Sequence, residues 1–238
     1  MARYELVQRC RPCGEYRPRE TAALLELLAE ACGITSFQTN GGGEVRIRAE
    51  EIDALLGAAA RSAPFPGAGA DLDLYGRVGE SSAFIRCSIH SGTASGESFV
   101  DYCNVDFGES GAAIDAGVFS RAVATIRPFE AFLAELDNEE SLDAYARQEE
   151  VGFGSPAIIR PLHYFDSELA SRVGGIDRCL HAPAARVGRF LDGVLIELVG
   201  EAFDPANQAH LEVQRRVMQH LGMRTTTPSG DARSTARG

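Results

Sequence analysis

The stretch Phe190-Leu191-Asp192-Gly193-Val194-Leu195 places Asp-Gly between two apolar runs, and this is the strongest local signal in the chain. Asp-Gly tolerates the positive φ that a two-residue hairpin turn needs, so two antiparallel strands are predicted here. Working outward, Phe203-Asp204-Pro205 predicts a helix with Asp204 as N-cap and Pro205 at its first position. It runs to about Leu221 and is closed by Gly222. On the other side, Ala157–Tyr164 reads as extended, and Asp166 caps a short helix through Val173 that Gly174-Gly175 stops.

Upstream the pattern repeats. Leu24, Leu25, Leu27 and Leu28 give Thr21–Cys32 helical spacing up to Gly33. Ile34–Gln38 and Glu44–Arg48 form a hairpin candidate around Asn40-Gly41-Gly42-Gly43, and Ala49–Arg61 reads as a second helix. Three strand-like segments follow near Asp71–Tyr75, Ala83–His90 and Ser98–Cys103. In the middle one Ala83, Ile85, Cys87 and Ile89 alternate with Phe84, Arg86, Ser88 and His90. Val118, Phe119, Ala122, Val123 and Ile126 make a helical block broken at Pro128, with a further apolar set in Phe129, Phe132 and Leu133; Ser141–Gln148 adds one more helix. The N-terminal stretch Arg3–Arg19 is locally basic and is expected to fold over the sheet or make contacts of its own.

Strands in runs and hairpins, without regular strand-helix alternation, predict an α+β fold of mostly antiparallel sheet with flanking helices. The Pro/Gly stretch near Ser62 and the Gly-rich stretch Val151–Pro156 are the linker candidates. They suggest an N-terminal region 1–150, a C-terminal region 151–223 and a mobile tail 224–238. No apolar run approaches the ~20 residues of a spanning helix, and the start lacks an export signal, so a cytoplasmic protein is expected.

Composition excludes several function classes. The 238 residues carry 23 basic and 34 acidic side chains, net −11, and every basic residue other than His is Arg. A general nucleic-acid binder would need clustered positive charge. Thirteen acidic residues lie between Glu97 and Glu150 against Arg121, Arg127 and Arg147, so this segment alone carries −10. Such a run is either a solvated face that keeps the protein soluble or a docking surface for a basic partner. Tyr102, Phe107, Phe132 and Tyr145, interleaved with it, are candidate aromatic anchors.

Catalytic motifs are harder to find. Cys10-Arg11-Pro12-Cys13 has the spacing of a metal knuckle or redox pair, and Cys32, Cys87 and His90 are its candidate partners. In a strand, however, Cys87 and His90 point to opposite faces. The six Cys are too sparse and irregular for a disulfide scaffold and read as free thiols. Neither Gly108-Glu109-Ser110-Gly111 nor Ser91–Gly96 matches a nucleophile elbow, and Gly41–Gly43 lacks the ending of a phosphate loop. Asp71-Leu72-Asp73 reads as a half-exposed strand before it reads as a cation site. No enzymatic activity and no cofactor are expected.

The stretches Pro161–Ala170, Leu191–Leu198 and Phe203–His210, with a helix ending Leu221-Gly222, resemble bacterial immunity proteins of the immunity protein 52 family. The resemblance covers about the last 80 residues and runs upstream through Arg127-Pro128-Phe129-Glu130. It implies a cytoplasmic, non-enzymatic protein that neutralises a toxin delivered between competing bacteria. The expected partner is a nuclease of restriction-endonuclease-like fold, often exported by a type VI secretion system. No active-site residue is carried over. On this reading Asp101, Asp106, Glu109, Asp137, Glu139, Glu140 and Asp143 stand in for backbone phosphates and contact a basic groove of the toxin. The competing readings are a metal- or thiol-dependent enzyme built on the Cys10/Cys13 pair, and a structural subunit whose acidic face contacts a basic neighbour permanently. Oligomeric state is not legible.

Overall fold

The structure is a computed structural model that describes residues 4–63, 68–79, 84–94, 100–107, 114–135 and 158–223. Ten strands in these residues form one sheet: β1 Tyr4–Cys10, β2 Ile34–Thr39, β3 Glu44–Val45, β4 Ala68–Val78, β5 Phe84–Thr93, β6 Asp101–Asp106, β7 Glu130–Glu135, β8 Leu162–Phe165, β9 Arg186–Phe190 and β10 Gly193–Glu197. Their order is β3-β2-β4-β5-β6-β1-β7-β8-β10-β9, and every neighbouring pair is antiparallel. Six helices flank it among the described residues: α1 Pro18–Cys32, α2 Ala49–Ala60, α3 Ala116–Ile126, α4 Ser167–Arg172, α5 Ile176–Leu180 and α6 Gln208–His220. This is the expected α+β architecture. The expected helix at Ser141–Gln148 and the tail 224–238 lie outside the described residues. No helix among the described residues is long and apolar enough to cross a membrane.

The helices cover opposite faces of the sheet at its two ends. Leu24, Leu25 and Leu28 of α1, Ile52 and Leu56 of α2 and Phe119 of α3 are buried against Leu6, Leu74, Ile85 and Val105 of the sheet. Full burial of each such side chain is worth about 1.5–3 kcal/mol. Side chains alternate along a strand, and β8 shows the consequence: Leu162 and Tyr164 join this first core, whereas Phe165 joins a second. That second core combines Phe165, Val194 and Ile196 with Leu169 of α4, Cys179 of α5 and Val217 of α6. The sheet itself is continuous, since β7 pairs directly with β8 across the position expected to divide two regions.

Four sequence expectations change. The basic N-terminal stretch does not fold over the sheet; it supplies β1, a central strand between β6 and β7. Phe129, Phe132 and Leu133 do not extend the helical block: Phe132 and Leu133 lie in β7, where all six residues are buried and the alternation is therefore invisible in the sequence. The terminal helix begins at Gln208 with Asn207 as its cap, its Oδ1 accepting the Ala209 N–H. Asp204 instead closes a local turn by accepting the Ala206 N–H.

The hairpin is shifted by one residue. Phe190 pairs with Gly193, so Leu191-Asp192 form the turn and Gly193 belongs to β10. A Cβ on Gly193 would lie 1.8 Å from the Phe165 carbonyl oxygen, so glycine is consumed by the close approach of β10 to β8. The left-handed conformation passes to Leu191, at φ 49°. Gly193→Ala is therefore expected to destabilise the protein by about 3 kcal/mol or more. Gly188→Ala, which meets nothing within 4 Å, should stay within about 1 kcal/mol of wild type. Urea denaturation of the two variants checks this, and equal midpoints would refute it.

Candidate functional site

The seven acidic residues expected at a docking surface do not share one environment. Asp101 is buried, and its carboxylate accepts the backbone N–H groups of Thr93 at 3.0 Å and Gly92 at 3.3 Å. It holds the end of β5 against β6 and presents no charge to a partner, contrary to the sequence expectation. Asp106 is half-buried on β6, opposite Glu5 on one side and Arg86 on the other. Glu109, Asp137, Glu139, Glu140 and Asp143 lie outside the described residues, as does Tyr145. Of the other aromatic candidates, Phe107 and Phe132 are buried, and half-buried Tyr102 stacks on His90 at 5.3 Å.

The cysteines are not gathered into a site. Cys10, Cys32, Cys87 and Cys103 belong to the first core, while Cys13 is exposed. Burial pushes the thiols of Cys10 and Cys87 up to about 12 and that of Cys32 to about 11, so they stay protonated. His90 lies on the opposite face of β5 from Cys87, as alternation requires. Among the described residues no group of three or more His, Cys, Asp or Glu is placed to hold a metal ion.

His90 nevertheless sits in a suggestive row. Its Nδ1 is 2.7 Å from Asp71 Oδ1 and its Nε2 is 2.9 Å from Thr93 Oγ1. Carboxylate, imidazole and hydroxyl in that order are the layout of a nucleophilic triad. Thr93, however, has 0% exposure, and Gly69 closes over the imidazole so tightly that a Cβ there would lie 2.9 Å from Nε2. The row clamps β4 to β5. Asp73 is likewise spent within the sheet, on Arg86 at 3.0 Å and Ser88 at 2.6 Å.

A second polar row crosses β1, β7 and β8. Arg9 Nη1 donates to Glu130 Oε2 at 2.8 Å, and His163 Nε2 lies 3.2 Å from Glu130 Oε1, all three residues being buried. Because His163 Nδ1 accepts the Arg160 N–H at 3.1 Å, its proton resides on Nε2 and is donated to Glu130. Burial alone would raise the Glu130 carboxyl, but the His163 hydrogen bond and the Arg9 charge outweigh it and hold the group below its usual range. Burial lowers His163, which stays neutral. At the far end of β7, Glu135 is buried with an unpartnered Oε1, and burial raises it to about 7.

One register step beyond Glu130, the structure opens. Phe129 N–H bonds to Arg9 O, and Asp166 N–H bonds to Phe129 O. Around this row a concavity of about 500 Å³ is lined by Arg11, Arg127, Pro128, Tyr164, Asp166, Leu191 and Asp192. Most of its polar groups are committed. Asp166 Oδ1 caps α4 through the Leu169 N–H, and its Oδ2 pairs with Arg11 at 2.5 Å. The second Arg11 nitrogen pairs with Glu168 at 2.9 Å, and the guanidinium stacks over Phe129 at 5.2 Å. Tyr164 donates its hydroxyl to Asp192 Oδ1 at 2.9 Å.

Two lining residues stand apart, Arg127 and Leu191. Among the described residues they are the only non-glycines with positive φ, at 52° and 49°, and both line this one concavity. Such conformations cost about 1–2 kcal/mol per residue and cluster where function retains them. Leu191 is also the only exposed large hydrophobic residue among them, at 46%. Sequence reasoning missed both. Arg-Pro at a helix end was a visible signal at 127–128, since Pro128 bars the preceding residue from continuing the helix; at Leu191 the one-residue turn shift concealed it.

The two buried glutamates of β7 predict opposite mutational signs. Glu130→Gln strips Arg9 of its buried counter-charge and should cost about 3–5 kcal/mol at pH 7. For Glu135 the folded value of about 7 exceeds the unfolded 4.5, so its ionisation destabilises the fold progressively from pH 4.5 upward and fully above 7. Glu135→Gln should therefore match wild type near pH 4.5 and exceed it at pH 8. Urea midpoints measured at both pH values check the pair, and equal shifts at the two pH values for Glu135→Gln would refute its part.

No protein-family model and no curated protein matches the sequence. The fold does have a counterpart: the Pseudomonas aeruginosa T6SS protein PA0821 aligns with a TM-score of 0.53 at 13% identity, over 91% of this chain and 76% of that one. At this identity the likeness is one of fold and carries no residue role across. The chain thus has an antiparallel α+β fold that a protein of type VI secretion also adopts.

Proposed function

We propose that the chain is an immunity protein that binds a cognate antibacterial toxin, of nuclease type, in the cytoplasm and neutralises it without chemistry of its own. The observation that carries this reading is the fold shared with a T6SS protein along 91% of the chain. The resemblance of the C-terminal third to immunity proteins points the same way. Charge supplies the physical rationale. A nuclease groove that binds phosphates is basic, and a protein of net −11 meets it with a complementary field that steers association and rejects wrong partners. With Asp101 turned inward, the docking charge falls to Asp106, Glu109, Asp137, Glu139, Glu140 and Asp143.

The test is co-expression with the product of the adjacent reading frame. That product is expected to arrest growth alone, to be tolerated with this chain, and to co-purify with it. Asp137, Glu139, Glu140 and Asp143 reversed together to Lys should weaken the complex by at least about tenfold at low salt and flatten its salt dependence. A harmless neighbour that does not bind would sink the proposal, and an unchanged affinity after charge reversal would sink its acidic-docking component.

A further inference from the structure

We propose that the concavity between the end of α3, β8 and the tip of the β9–β10 hairpin seats a carboxylate side chain of the toxin, gripped by Arg127 against Leu191 and Pro128. This rests on the toxin-binding reading above and adds to it the contact that sets the register of the complex.

The polar inventory of the concavity decides the chemistry. Arg11, Asp166 and the Tyr164 hydroxyl are each engaged within the protein. The Arg127 side chain is exposed and, among the described residues, has no hydrogen-bonding or ion-pair partner. A guanidinium offers five N–H donors in a planar fork and no acceptor. Asp192, already accepting from Tyr164, leaves only one carboxylate oxygen uncommitted. Donors therefore dominate, and the matching group is an acceptor-only, planar anion that takes two parallel N–H bonds. Exposed Leu191, with buried Pro128 behind it in the lining, provides an apolar wall for the methylene stem of an Asp or Glu.

The net charge of the chain says where that carboxylate comes from. At −11 the molecule repels free anions, so a lone carboxylate gains little by approaching. A carboxylate carried by a basic protein is drawn in by its bearer's field. One contact of reversed sign within an acidic-on-basic interface penalises every register that leaves Arg127 unmatched. The two left-handed residues fit this role. Glycine would adopt either conformation without strain, yet both positions hold long side chains that line the concavity.

Full-length wild type, Arg127→Gly, Arg127→Glu and Leu191→Gly are titrated with the purified product of the adjacent reading frame by calorimetry, and their thermal midpoints are recorded without it. Both glycine variants are expected to keep their Tm or gain up to about 2–4 °C, because strain is released. Each should lose at least about tenfold in affinity, and Arg127→Glu more. Wild-type affinity in Arg127→Gly and Leu191→Gly would overturn the proposal while leaving toxin binding intact. Failure of wild type to bind at all would instead remove the toxin-binding reading itself. Millimolar propionate that raises the Tm of wild type but not of Arg127→Gly would assign the concavity to a free carboxylate and overturn the docking assignment.

Discussion

A guanidinium in the interior of a sheet has to be neutralised where it stands, and the pairing of Arg9 with Glu130 is the contact on which the two halves of this protein depend. The residues face each other across β1 and β7, and His163 of β8 completes the row from the other side. Three strands far apart in sequence are thereby held in one register. A buried network of this kind costs much of its Coulombic gain in desolvation, so its value lies less in net stability than in penalising every misaligned pairing. A one-residue slip of β7 would turn Glu130 to the opposite face, away from Arg9 and His163.

The helices divide between the two faces of the sheet. From β8 onward the side carrying His163 and Phe165 is closed by α4 to α6, whereas over the N-terminal strands the opposite side is closed by α1 to α3. The concavity around Arg127 and Leu191 lies between the end of α3 and the cap of α4, lined by Tyr164 and by the Arg11–Asp166 pair. Strained residues are tolerated there because the stable cores lie to either side, and a tight hairpin turn and a helix end hold Leu191 and Arg127 more firmly than a long loop would.

The charge distribution divides in a similar way. Within the described sheet the carboxylates are largely spent on internal work: Asp101 on backbone amides, Asp73 on Arg86 and Ser88, Asp166 on a helix cap and Arg11. An acidic count therefore overstates the charge offered to a partner. On the proposed reading, the field that would steer a basic toxin comes from the carboxylates left over, and the shape that would recognise it comes from the few side chains with no internal partner.

Sequence periodicity by itself determined those elements that expose one face to water. The stripe of Leu in α1, the alternation of β5 and the Asp166 cap are each written in a local pattern, because burial on one side only leaves a period of 3.6 or 2 behind. The fold class follows from them, as does the placement of Cys87 and His90 on opposite faces. Only the tertiary structure decided what lies at the centre. β7, covered on both sides, has no period to read, and β1 was disguised by the charge of Arg9, whose counter-ion is 121 residues away. The hairpin register turned on the Phe165 carbonyl that Gly193 must clear, and this in turn placed Leu191 in the concavity beside Arg127. Local patterns record how a segment meets solvent; register, buried charge pairing and the meeting of distant turns depend on contacts between segments that no window of sequence contains.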